Sequence, residues 1–115
     1  MDKLVKYRQI IKDIIKQYEA WSQQPRLTPG QVEDHAVIDE ENSRYILFRT
    51  GWWRDERINT TALYVRLYNN KIYIEEDLTE DGIATNLLVA GVPREDIVLA
   101  FHPPEMRPYT EFAVA

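Results

Sequence analysis

Between residues 31 and 76 four β-like runs are joined by connections of only two to four polar residues, and that spacing leaves few folds open. The runs fall at about 31–39, 44–53, 57–68 and 71–76; the connections are Glu40-Glu41-Asn42, Arg54-Asp55-Glu56 and Asn69-Asn70. A parallel crossover needs a dozen or more residues, so successive runs this close must pair antiparallel. Asn69-Asn70 suits a two-residue hairpin, because Asn tolerates the positive φ such turns require. In the third run Ile58, Thr60, Ala62, Tyr64, Arg66 and Tyr68 alternate with Leu63, Val65 and Leu67. Both sets carry apolar bulk, which predicts a central strand with its second face partly covered.

Helical periodicity brackets the strands. Leu4, Tyr7, Ile11, Ile14, Tyr18 and Trp21 recur at steps of three and four, with Ile10 and Ile15 widening the stripe, so residues 2–22 read as an amphipathic helix. Pro25 and Pro29 end it. A second helix is expected over 80–90, with Thr79 as cap, Glu80 and Asp81 in the first turn, and Leu78 and Ile83 placed as a hydrophobic staple. Gly91 suits a left-handed stop, Val92 can fold back on Leu87, and Pro93 lies just beyond. Ile97 to Phe101 reads as a short buried strand, stopped by His102-Pro103-Pro104. The expectation is one α+β domain over residues 1–115: N-terminal helix, four-stranded antiparallel meander, second helix and one further short strand, with both helices on one sheet face.

Composition narrows function mainly by exclusion. The chain has 115 residues, 44% of them hydrophobic, and a net charge of −5. Residues 1–21 carry five Lys/Arg against three Asp/Glu (+2), so residues 22–115 carry nine against sixteen (−7). An acidic body disfavours duplex DNA, whose affinity for proteins comes largely from Lys and Arg on phosphates. No apolar run approaches a membrane span. Lys6, Arg8 and Lys12 interrupt any signal-like stretch. The absence of cysteine removes disulfides, thiolate catalysis and cysteine-ligated metal, and fits a reducing, cytoplasmic setting.

Catalytic constellations are sparse. Ser22 and Ser43 are the only serines and lie in predicted linkers; no Gly-x-Ser-x-Gly elbow and no phosphate-cradling glycine loop exist. The acidic cluster Glu75, Glu76, Asp77, Glu80 and Asp81 has the oxygen ligands a hard cation prefers, but its residues are better explained as a strand end and a helix N-terminus; no metal or cofactor site is assigned. His102 lies near Glu105 and Glu111, the one pairing from which acid–base chemistry could be built. A histidine at a strand end is more often structural.

Binding residues are richer. Arg44, Arg49, Arg54, Arg57 and Arg66 interleave with Tyr45, Phe48, Trp52, Trp53, Tyr64 and Tyr68 over 44–68, as in single-strand nucleic-acid binders, although strands favour aromatics anyway. Trp52 and Trp53 are adjacent, so one is expected in the core and the other outside, where beside Arg57 it would make an interface anchor. Pro103, Pro104 and Pro108 keep residues 102–112 out of any central strand. That surface segment presents His102, Arg107, Tyr109 and Glu111 as further partner-binding candidates.

Several motifs in fixed order resemble the XisI family, the fdxN element excision controlling factors of cyanobacteria. They are Met1-Asp2-Lys3-Leu4-Val5-Lys6-Tyr7-Arg8, then Gly51-Trp52 and Arg57-Ile58, then Lys71-Ile72-Tyr73-Ile74. Next come Asp77-x-Thr79-Glu80-x-Gly82-Ile83-Ala84, Gly91-Val92-Pro93 and Asp96-Ile97-Val98-Leu99, and finally Phe101-His102-x-Pro104, Arg107 and Thr110-Glu111-Phe112-Ala113-Val114. Trp53 departs from the family pattern. The resemblance implies a controlling factor that acts with an XisH-like, nuclease-like protein and a site-specific recombinase in excising a DNA element during heterocyst differentiation. The recombinase would do the strand chemistry, and no catalytic residues carry over. The expected role is therefore a non-enzymatic accessory whose partners are an XisH-like protein and, through it, a recombination complex; assembly with copies of itself is compatible with the sequence. A nucleic-acid-binding accessory using 44–68, and an enzyme using His102 with Glu105 and Glu111, are the alternatives.

Overall fold

The computed structural model describes residues 3–22, 32–79 and 82–115. Helix α1 (Lys3–Ser22) turns Tyr7, Ile11 and Ile15 fully inward, one helical turn apart, with Ile10, Ile14 and Tyr18 packed beside them. Trp21, at the end of the predicted stripe, is instead about half exposed and stands edge-on to Tyr18 at 5.5 Å.

Strands β1 (Val32–Asp39), β2 (Arg44–Trp53), β3 (Glu56–Tyr68) and β4 (Lys71–Asp77) form the expected antiparallel meander. The turns carry positive φ at Ser43, Arg54, Asn69 and Asn70; the two Asn tolerate it readily, whereas Ser43 and Arg54 adopt it under the constraint of the turn. The second connection is shorter than the sequence suggests. Trp53 pairs with Glu56, leaving only Arg54-Asp55 in the turn.

The face assignment of β3 is corrected by a bulge. Leu47 pairs with Leu63 and Phe48 with Thr61, so Ala62 is an extra residue. Ala62 and Leu63 are both fully buried, although strict alternation would separate them. Ile58 and Thr60, opposite Gly51 and Arg49, therefore share the helix-side face with Leu63 and Val65, while Tyr64, Arg66 and Tyr68 lie on the other.

Helix α2 (Ile83–Val89) is shorter than the 80–90 expected. Its N-terminus is satisfied not by Thr79 but by Asp77, whose carboxylate accepts the Ile83 N–H at 2.8 Å and the Thr79 N–H at 2.9 Å. Gly82 precedes the helix at φ 79°. Glu80 and Asp81, expected in the first turn, lie outside the described residues. Leu78 is half exposed, so no staple forms with the buried Ile83. The other end closes as predicted: Gly91 is left-handed at φ 100°, its N–H bonds Leu88 O, and Val92 N–H bonds Leu87 O with both side chains in the core.

After a 3₁₀ turn (Arg94–Asp96), β5 (Ile97–Leu99) adds parallel to β4, with Ile72 opposite Ile97. The sheet is thus mixed, in order β1-β2-β3-β4-β5. The core lies between α1, α2 and one sheet face, with Tyr45, Leu47, Val65, Ile72 and Ile74 as its floor. Tyr7 hydroxyl donates to Asp96 at 2.5 Å, tying α1 to the turn before β5. Asp96 also receives Lys3 at 3.3 Å.

Candidate functional site: the β2–β3 hairpin tip

Strands β2 and β3 outrun their neighbours. Pairing with β1 ends at Val32–Gly51, and pairing with β4 ends at Leu63–Asp77. Beyond those points, among the described residues, only Trp52–Arg57, Trp53–Glu56 and the Arg54-Asp55 turn continue the hairpin. Trp52 is 53% and Trp53 50% exposed, so the expectation that one lies in the core is corrected. Adjacent strand residues do point to opposite faces, but at this end neither ring is buried among the described residues. Arg57 stacks 5.5 Å from the centroid of Trp52, and Arg54 sits 5.7 Å from that of Trp53. Arg57 also donates to Gly51 O at 3.3 Å. Each cation–π contact contributes only about 0.5–1 kcal/mol at such exposure. Its consequence is positional, because it limits the rotamers of two large aromatics before any partner arrives.

The C-terminal candidates divide. Arg107 donates to three backbone carbonyls: His102 O at 3.0 Å, Ala100 O at 3.3 Å and Val114 O at 3.3 Å. It thereby holds the 3₁₀ segment Pro104–Tyr109 to the tail. Tyr109 is 85% exposed. Glu111 forms an exposed ion pair with Arg94 at 3.4 Å, and His102 is half-buried against the Phe101 ring at 4.6 Å. The His102–Glu105–Glu111 arrangement is not brought together as an acid–base unit: among the described residues no ion pair joins His102 to either carboxylate. Among the described residues no hydrogen bond, ion pair or ring contact joins Trp52 or Trp53 to residues 102–112.

Four of the five arginines of 44–68 are likewise divided. Arg49 is held on the helix-side face by Asp34, through Nε at 2.8 Å and a second nitrogen at 3.2 Å. That hydrogen bond holds the Arg49 guanidinium charged more firmly than usual. Arg66 lies on the opposite face, paired with Glu75 at 2.6 Å and stacked on Tyr68 and Tyr73. Arg54 and Arg57 are at the tip. They form no single stripe. In the acidic cluster, Glu75 is taken by Arg66 and Asp77 by α2.

Sequence reasoning missed one cleft. It encloses about 430 Å³ between the end of α1 and the sheet, with Trp21, Asp34, Arg49, Leu78 and Thr79 among its walls. Asp34 is the buried charged residue at its floor. Its pairing with Arg49 follows from the β1–β2 register, and no local sequence signal announces it.

The XisI protein family model matches residues 1–114. This chain belongs to the XisI family. Among solved structures, the fdxN element excision controlling factor XisI from Anabaena variabilis ATCC 29413 is 43% identical, with a TM-score of 0.81 over 99% of this chain and 100% of that one. An XisI-like protein from the same organism is 32% identical, with a TM-score of 0.85 over 97% of this chain and 99% of that one. No curated protein matches. The XisI fold accounts for the mixed sheet and both helices. No described helix is long and apolar enough to cross a membrane.

Proposed function

We propose that this chain is a non-catalytic controlling factor that works by binding a protein, and that its partner is an XisH-like, nuclease-like protein within an element-excision system. The observation that supports this reading is the hairpin tip, where Trp52 and Trp53 are half exposed and each is backed by an arginine. Trp and Arg dominate interface hot spots, and an ordered anchor loses little side-chain entropy on docking. The XisI relative carries the name of a controlling factor, which fits an accessory role. The acidic body would complement a basic nuclease surface.

The test is capture of an XisH-like protein by wild type, Trp52→Ala and Trp53→Ala, with thermal melting run in parallel. Both variants should keep a near-wild-type melting temperature, and at least one should lose capture by tenfold or more, the loss expected for a hot spot above about 1.4 kcal/mol. Full capture by two folded variants would remove the tip from the function.

A further inference from the structure

A strand edge is a row of unpaired N–H and C=O groups that invites another strand, and most proteins guard it. This sheet guards two of its edges. Along β1, Ser22 hydroxyl accepts the Asp34 N–H at 3.0 Å and donates to Asp34 O at 3.2 Å, while Glu19 carboxylate accepts the Ala36 N–H at 2.6 Å. The last turns of α1 thus take up the outward groups of Asp34 and the outward N–H of Ala36. Along β5, Ala113 N–H bonds Ile97 O at 2.8 Å in a parallel bridge.

The third edge is the half of β3 that β4 does not reach. The last bond on that side is Leu78 N–H to Ala62 O at 2.8 Å. From Glu56 to Thr61 the strand is paired with β2 alone, and among the described residues nothing meets its other side. Between Glu56 and Thr61 it has no Pro and no Lys; its charges are confined to Glu56 and Arg57, the bulge at Ala62 lies at its inner end, and Ile58-Asn59-Thr60-Thr61 is uncharged.

We propose that this edge of β3 pairs antiparallel with the same edge of a second copy of the chain, about a two-fold axis at Ile58, joining two five-stranded sheets into one. A two-fold interface must be self-complementary. Asp34 and Ala36 aim their backbone groups away from β2, and antiparallel ladders alternate. Carried across β2 by the observed register, that alternation aims the outward groups of β3 at Arg57, Asn59 and Thr61. With Ile58 opposite Ile58, Arg57 exchanges backbone bonds with Asn59 on each side of the axis. Glu56 then faces Thr60, and Asp55 faces Thr61, so no like charges oppose. Centring on Asn59 instead would drive Glu56 into the place held by Leu78. In the Ile58 register the turn carrying Arg54 stops at the end of β4, where Glu76 and Leu78 are exposed. The occupant is a second copy rather than a foreign strand, because the Ile58 register sets uncharged residues against charged ones and fits the length of free edge.

The chain has no cysteine, which makes a crosslinking test clean. Ile58→Cys places its thiols at a close, non-hydrogen-bonded pair on the axis, and mild oxidation should give a covalent dimer. Thr60→Cys, facing Glu56 instead of itself, should crosslink far less. Wild type should sediment as a dimer at high micromolar concentration, and Asn59→Pro, which removes an outward N–H, should sediment as a monomer. A wild-type monomer at that concentration, or equal crosslinking of the two cysteine variants, overturns the proposal. A wild-type monomer whose XisH-like capture is lost in Asn59→Pro overturns it too, assigning the edge to a foreign partner. These outcomes are independent of the tryptophan variants, so either proposal can fail alone.

Discussion

Replacing Asp77 by alanine tests the account of α2 most directly. Its carboxylate accepts two backbone N–H groups, from Thr79 at 2.9 Å and Ile83 at 2.8 Å, and the Thr79 hydroxyl at 2.5 Å. The side chain therefore fixes both the turn after β4 and the first turn of a seven-residue helix that would not persist unaided. Loss of a helix cap costs about 0.5–2 kcal/mol, and the doubled role puts Asp77→Ala near the top, at ~2 kcal/mol. Unfolding entropy of roughly 2.1 cal/mol/K per residue converts this to a fall of about 8 °C in melting temperature for a chain of this length. Asp77→Asn retains one acceptor oxygen and should lose about half as much. Differential scanning calorimetry gives the global figure, and amide hydrogen exchange at Ile83 and Ala84 reports the local one. If Asp77→Ala melts within about 1 °C of wild type, or the Ile83 amide stays fully protected, the carboxylate does not hold this helix and the capping argument is wrong.

Arg107→Ala should destabilise the fold by about 1–2 kcal/mol, because three carbonyls lose their donor, whereas Tyr109→Ala should fall within roughly 0.5 kcal/mol of wild type; chemical denaturation giving the reverse order would show that Arg107 is not the clamp of the tail. Burial and the Asp96 carboxylate push the Tyr7 phenol pKa up, and burial likewise raises that of Tyr45. A phenol whose folded pKa lies above its unfolded value of about 10 contributes fully below that pH and loses its contribution as pH rises past it, because the unfolded chain releases the proton first. Wild type should therefore lose more melting temperature than Tyr7→Phe between about pH 9 and pH 11, and parallel slopes would refute the assignment.

Local signals carried the element order well. The short polar connections dictated the meander, Asn69-Asn70 marked a tight turn, and Gly91-Val92 marked the end of α2, since each depends only on residues near in sequence. The family motifs likewise run along the chain and can be matched without coordinates. The cap of α2 was misplaced because Thr79 is the nearer conventional candidate, whereas Asp77 reaches Ile83 across a turn around Gly82 at φ 79°. The faces of β3 were misassigned because one extra residue at Ala62 reverses alternation, and a bulge is a property of a strand pair, invisible in either strand alone. The tip was partly legible. Gly51-Trp52-Trp53 and Arg57 stood out in sequence, but the exposure of both tryptophans depends on where β1 and β4 stop. Arg107 and Tyr109 looked equivalent in sequence, and only tertiary placement separated a tether from a free side chain. Periods, turns and family motifs depend on residues near one another along the chain; which strand edges are guarded depends on the fold, because an edge is defined by what arrives from elsewhere in the chain. Ser22 and Glu19 reach β1 from α1 and Ala113 reaches β5 from the tail, while no described residue pairs with the side of β3 away from β2 between Glu56 and Thr61.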